Sequence, residues 1–415
     1  MTVARLIAVN FLIRVAAAAS GQLFVFLIAD RLGERVGVGS FVVGLLGASF
    51  FVTELLGAPL AGGLADRIGQ LRVLRAGPAF GAVSAALAAT AVSVGGGSSA
   101  LVLVLLGARL MEGSSAACAV PTTLVLLSRL TAGNAIRRTR VMGQFEISSL
   151  IGMIAGFGIA GIGYDALGAG AFLLLPPVYG LAWWLVPRLA KATTPADGVP
   201  SAATSLKRLV LLPGAIAFGV AWLAINAVVG LWLQYAPFLL KLPAGTSAQR
   251  MVGGYTGSEI GLIFGAFGLV FLTGLAAWSY WGGKLPRRFS LVTALAGMLG
   301  VVLTLALVNH GAPRWVLVLT GLFVLVESGF TVVAFAHLAD LTEHMDEARG
   351  AALGVYSLLL GLGQLTGSTI GAPFAAKWQM DGVLLATALL ALISLVGVVA
   401  MGSRRRSPAS ESGEA

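Results

Sequence analysis

The feature that most restricts this chain is a succession of long apolar runs with almost no charge inside them. Each is about as long as the roughly 20 residues a helix needs to cross a 30 Å hydrocarbon layer. Backbone N–H and C=O groups find no water in such a layer, so only helices, or strands closed into a barrel, can span it. Barrel strands need only about 10 residues, and these runs are far longer. They are read as helices near residues 6–29, 40–63, 73–94, 101–127, 141–163, 169–187, 210–236, 257–281, 289–308, 313–338, 350–374 and 382–402. Only 11% of the 415 residues are charged, against about 25% in soluble domains. The expected fold class is an all-α membrane protein with twelve transmembrane helices.

Arg5, an apolar stretch and the small residues that follow imitate a cleavable signal. Arg14 interrupts that apolar stretch, however, and "GQLFVFLIA" carries the run onward, so the segment is read as the first span. Twelve spans return the chain to its starting side. Nineteen Lys and Arg fall on that side: Arg5, the loops at 67–75, 129–140, 188–208 and 284–288, Arg349, and Arg404 to Arg406. Six fall opposite: Arg31, Arg35, Lys241, Arg250, Arg314 and Lys377. Basic residues concentrate in cytoplasmic loops, so both termini are expected in the cytoplasm and the protein in the bacterial cytoplasmic membrane, surrounded by lipid. A formal charge of +10 would point a soluble protein toward nucleic acid. Here the charge sits in short gaps between spans and serves orientation, so no nucleic-acid partner is expected. A lone cysteine, Cys118, excludes an intrachain disulfide and a cysteine metal cluster.

The longest polar linker, residues 187–209, divides the chain six plus six. The expected organisation is a bundle over 1–187, a linker over 188–209, a second bundle over 210–403 and a tail over 404–415. The halves resemble each other. "QLFVFLIADRLG" at 22–33 aligns with "QYAPFLLKLPAG" at 234–245. Arg138, Gly143, Gly152 and Gly156 align at one constant offset with Arg349, Gly354, Gly363 and Gly367, and Glu112 aligns with Glu327. Two pseudo-symmetric six-helix bundles are a transporter signature, with the substrate site at their interface near the midplane.

Residues 62–72, "GGLADRIGQLR", fall between spans 2 and 3. They resemble motif A of the major facilitator superfamily, G-x-x-x-D-R-x-G-R-R. Gly62, Asp66, Arg67 and Gly69 match, while Gln70 and Leu71 replace the final pair and Arg72 follows one step later. The second-half copy, "SYWGGKLPRR" at 279–288, keeps Lys284, Arg287 and Arg288 but has Gly283 in place of the acid. Span 4 resembles motif B through Arg109 and Gly113. "GMIAGFGIAG" at 152–161 resembles antiporter motif C, with Phe157 and Ala160 departing from it. The resemblance covers the whole chain and is closest to the 12-helix drug/proton antiporter type. It implies that Gly62 admits a neighbouring helix and that Asp66 faces the start of span 11, near Gly350, latching the cytoplasmic side shut. An acid is favoured at a helix N-terminus. A simpler role as a topology signal is expected for Arg72 and Arg75.

The ionisable residues inside the spans are Arg14, Glu54, Arg109, Glu112, Glu146 and Glu327. Each costs a few kcal/mol at the midplane, so function is the default reading. Arg109 and Glu112 stand three apart and share a helix face. An ion pair there can exchange one partner for a proton or a substrate, or it can be a permanent structural bridge. Glu327 has no base within four positions; it is expected to carry protons, with hydrogen bonding to a neighbouring helix as the alternative. Glu54 is a further coupling candidate, Arg14 an anion-attracting or snorkelling base, and Glu146 a partner for loop arginines such as Arg138. Asn226, Gln234, Gln22, Trp222 and Tyr235 are candidate cavity-lining residues. His337, Asp340 and His344 share a helical face, but that run also reads as a solvated loop, and no resident metal or other cofactor is expected. No nucleophile motif or phosphate loop is present, which disfavours an enzyme.

The leading expectation is a monomeric secondary transporter that uses protons to export small lipophilic or amphiphilic molecules by alternating access. Uptake of a small metabolite or organic anion at Arg14 and Arg109 is the alternative, and a lipid or lysolipid flippase a third.

Overall fold

The computed structural model describes residues 2–91, 99–187, 214–341 and 349–401, with the side chains of 135, 136, 138, 139, 283, 339–341 and 349–357 left aside. The linker expected at 188–209 and the tail at 404–415 lie outside the described residues.

The helices are α1 (Val3–Leu32), α2 (Val36–Ile68), α3 (Gln70–Thr90), α4 (Ser99–Leu130), α5 (Ala135–Leu167), α6 (Leu175–Leu185), α7 (Ala215–Lys241), α8 (Gly257–Trp281), α9 (Arg287–Asn309), α10 (Val316–Glu327), α11 (Gly329–Leu341) and α12 (Arg349–Ala400). Elements α10 and α11 meet at Ser328 and together make span 10. Helix α12 contains spans 11 and 12, broken at Gln379, whose φ of 54° no helix residue adopts. Among the described residues nine apolar stretches are long enough to cross a membrane, and three of them, 3–68, 140–185 and 358–400, hold two passes each. Twelve passes result, as the hydropathy pattern predicts. Most helices overrun the expected boundaries by a few residues at one or both ends. They continue past the hydrocarbon into polar turns, where caps end them. Thr2 accepts from the Arg5 amide at the start of α1, and Thr256 and Glu259 form a reciprocal capping box on α8.

Each half repeats one packing scheme. In the first, α1 packs on α5, α2 and α3 on α4, and α3 on α6. In the second, α7 packs on α12, α8 and α9 on α10, and α9 on α12. The glycines aligned in sequence explain the match. A Cβ at Gly152 or Gly156 would strike the α1 backbone at Phe11 or Val15. One at Gly363 or Gly367 would strike the α7 backbone at Leu223 or Ala227. Without side chains there, paired helices approach backbone to backbone, which packs membrane helices when no hydrophobic force acts between them. The halves meet along α2 against α12, α5 against α8, and α1 against α7.

An even number of passes places the start of α1 and the end of α12 on one side, here the terminal side; the other is the distal side.

Candidate functional site

The seam between the halves is tight distally. A Cβ at Gly39 would fall on the Phe238 ring, and one at Gly44 on the Tyr235 hydroxyl and the Ser368 carbonyl. One at Gly47 would fall on Gln234, and one at Gly161 on the Gly257 carbonyl. Toward the terminal side the same stripes part. Leu55 still reaches Gly361, but Pro59 is exposed, and no described atom lies within 4 Å of a Cβ placed at Gly62. On α5, Ile154 packs against Gly268, while Ile151 and Ile147, one and two turns further along, are exposed.

The intramembrane charges gather in the first half. Arg109 Nη1 donates to Glu112 Oε2 at 2.6 Å, with the residues 4% and 1% exposed. Arg109 Nε donates to the Leu46 carbonyl of α2 at 3.3 Å, and the guanidinium lies 5.2 Å from the Phe24 ring centre and 4.7 Å from that of Phe50. Arg109 is therefore held by α1, α2 and α4 together. Gly113, one turn on, lets α2 lie against α4, since a Cβ there would meet the Phe50 carbonyl. The second carboxylate oxygen, Glu112 Oε1, is buried without a hydrogen-bond partner among the described residues, as are Ser20 Oγ, Ser115 Oγ and Tyr179 Oη. Ser20 faces the Glu112 carboxylate, and Tyr179 lies in its electrostatic field.

Arg14 lies within electrostatic range of both Glu54 on α2 and Glu146 on α5. Arg109 also acts on Glu54. Glu146 thus has Arg14 in its surroundings; the Arg138 side chain, its expected partner, is outside the described residues. Among the described residues Arg14 makes no ion pair, and its Nε is buried without a partner. The first half thus holds two bases and three acids within one field. Sequence spacing joins only Arg109 to Glu112, because the other members come from separate helices.

In the second half, Glu327 is 8% exposed, and Gly297 of α9 packs against its backbone nitrogen. No basic residue, Arg14 included, enters its electrostatic surroundings among the described residues. Gln234 and Tyr235 sit at the distal seam, with the Tyr235 hydroxyl donating to the Ser368 carbonyl. Asn226 donates to the Trp222 carbonyl within its own helix. Trp222 differs from expectation: it is packed in the second-half core with Phe218 and Phe330, because an indole finds more contact area there than on a seam of glycines. Gln22 is buried, its amide nitrogen unpartnered among the described residues. His337 stands edge-on to Phe218 at 4.9 Å; the Asp340 side chain and His344 are outside the described residues.

The 62–72 stretch forms the α2–α3 turn. Gly69 has φ 98°, a left-handed conformation that favours glycine. Asp66 and Arg67 are exposed. The partner expected for Gly62 and Asp66, near Gly350, lies among residues whose side chains are outside the described set. Arg75 lies 3.5 Å over the Trp183 ring and ties α3 to α6.

Asp66→Asn is expected to disfavour the conformation closed on the terminal side by about twofold to fivefold, the worth of one carboxylate at a helix N-terminus. Reaction of a cysteine placed at Ile147, exposed on the α5 seam stripe, with a maleimide applied from the terminal side measures it. An unchanged rate removes the latch role.

The family model of the Major Facilitator Superfamily matches residues 10–254 and again residues 251–415, close to one match for each half. In structure the chain is similar to a mutant form of the nucleoside transporter NupG, with a TM-score of 0.70 at 13% identity over 95% of this chain and 98% of that one. It is similar also to a D-xylose-proton symporter, with a TM-score of 0.68 at 16% identity over 95% and 97%. At these identities the likeness is one of fold. No curated protein matches the chain in sequence.

Proposed function

The chain belongs to the Major Facilitator Superfamily and is a multi-pass membrane transporter rather than an enzyme; from that premise we propose that it is a proton-coupled exporter of small lipophilic or amphiphilic molecules. The terminal side is the cytoplasmic side, by its surplus of basic residues. The conformation described is then open toward the cytoplasm and closed outside, ready to load from within. The observation that carries the reading is the placement of acids. Glu112 and Glu327 are both buried, stand at repeat-related positions and differ in surroundings, the first bonded to Arg109 and the second without a base among the described residues. Two acids in unequal environments provide one site that carries a proton and one that senses substrate. The terminal-side stripe on α5 exposes the apolar side chains of Ile147 and Ile151, which suits a greasy cargo.

A second reading is uptake of a small polar metabolite or organic anion. Arg14, unpaired among the described residues and partly exposed, favours it, and the two similar structures are of a nucleoside transporter and a sugar-proton symporter. Purified protein in vesicles, given a proton gradient of either sign, separates the two. Proton-driven movement of a lipophilic dye, with none for nucleosides and pentoses, supports export. The reverse selectivity replaces it with uptake.

A further inference from the structure

Asp165, in the last turn of α5, belongs to the first half. Both its carboxylate oxygens are taken by the second half: Oδ1 accepts from the Gly257 amide at 2.7 Å and Oδ2 from the Ser258 amide at 2.7 Å. These are the first two residues of α8, whose free amides and dipole favour an anion. Lys241, the last residue of α7, places Nζ 4.0 Å from Oδ1. The same ammonium lies 5.4 Å from the centre of the Tyr164 ring and 6.0 Å from that of Phe26, both first-half residues. Tyr164 is itself fixed, its hydroxyl donating to Asp30 Oδ2 at 2.6 Å. Directly beneath Asp165, Gly161 and Gly257 meet backbone to backbone, so nothing stands between the carboxylate and the helix end.

The receiving end is rigid. The loop at 242–256 returns its Gly253, Gly254 and Tyr255 amides to the carbonyls of Leu239, Leu242 and Leu240. Asn309, at the end of α9, accepts from the Met251 amide and donates to Gln249 and Asp381. The α8 N-terminus therefore moves with the second half as one body, and any parting of the halves on the distal side must pull Asp165 off it.

We propose that Asp165, with the α8 N-terminus and Lys241, is the latch of the distal gate: bonded while the path opens to the terminal side, and released when the path opens distally. It would stand as the distal-side counterpart of the terminal-side role assigned to Asp66. The proposal rests on alternating access, but neither on the identity of the cargo nor on the coupling acid. Asp165 acts on the gate only and touches no cargo.

The test uses full-length protein in membranes, with Cys118→Ala to remove the native thiol. Two single-cysteine reporters are labelled with a membrane-impermeant maleimide: Ser368→Cys, sealed in the distal seam, from the distal side, and Ile147→Cys, exposed on the α5 seam stripe, from the terminal side. With Asp165 intact, Ser368→Cys is expected to react slowly and Ile147→Cys fast. Asp165→Ala is expected to raise the distal rate about tenfold or more, the scale of one charge-assisted bond, and to lower the terminal rate. Asp165→Asn, which still accepts a hydrogen bond, is expected to fall between. General loosening would raise both rates, so a joint rise overturns the latch, as does an unchanged distal rate. Oxidation of Asp165→Cys with Ser258→Cys supplies a second variant; the bond is expected to keep Ser368→Cys slow under every imposed gradient, and continued distal opening refutes the proposal. Distal and terminal rates that rise and fall together when the imposed gradient is reversed, with Asp165 intact, overturn alternating access itself, a result distinct from failure of the latch.

Discussion

Replacing Arg109 with leucine is expected to cost the fold about 3–5 kcal/mol, the penalty for leaving one member of a buried ion pair without its partner. Glu112 is 1% exposed, and Arg109 Nη1 is the hydrogen-bond donor found for its carboxylate among the described residues. The guanidinium also joins three helices, through Leu46 of α2, the Phe24 ring of α1 and its own α4. A buried pair exchanged as a whole for apolar groups is often neutral or better. The double variant Arg109→Leu with Glu112→Leu is therefore expected to recover most of the loss. A double-mutant cycle on the thermal unfolding of purified protein measures this. Additive losses mean that the two side chains do not depend on each other, and the pair then has no part in either stability or coupling. If the double variant folds, transport should be absent while the fold remains, which separates scaffold from function.

The second large effect concerns Glu327→Gln. One proton entering down 100 mV carries about 2.3 kcal/mol, enough for roughly fifty-fold accumulation. If Glu327 carries that proton, the glutamine variant is expected to lose the whole factor, equilibrating cargo without concentrating it, while still binding it. Glu112→Gln, in contrast, is expected to weaken cargo binding, because Arg109 loses its anionic partner. Flux assays with and without a gradient, with binding measured separately, resolve the two. Full accumulation by Glu327→Gln with loss in Glu112→Gln reverses the roles. Full accumulation by both moves the proton to Glu54, in the field of Arg14 and Arg109, or to Asp30.

What the sequence made legible follows from periodicity along the chain. Length and hydropathy identify twelve spans even where the structure runs two together, and the constant offset of Gly152 and Gly156 from Gly363 and Gly367 foretells two equivalent helix pairs. Arg109 and Glu112 could be joined because three residues of helix bring them to one face. Contacts between helices were not legible. Arg14 near Glu54 and Glu146 depends on how three helices rotate about their axes, and runs apolar on every side leave that rotation open. Trp222 was expected at the cavity for a related reason: an aromatic residue in span 7 looks the same whether it faces the seam or the core. Asp165 stands at the edge of a span, where a charge is ordinary; only the facing α8 amides and Lys241 distinguish it. Gly62 carries a motif, but a motif does not tell which of two conformations the chain adopts.

The glycine seam has one more consequence. Where Gly161 meets Gly257 and Gly261 meets the Phe157 carbonyl, α5 and α8 touch through main chain. Ordering a long side chain costs up to about 2 kcal/mol of rotamer entropy. An interface with few such side chains has little of that entropy to surrender on closing or regain on parting. The two arrangements can then lie close in free energy, and a differential affinity of about 1.4 kcal/mol moves their ratio tenfold. A proton or a weakly bound molecule is thereby strong enough to tip the balance, and so is a single added methyl group at Gly161, where the facing backbone leaves no room for one.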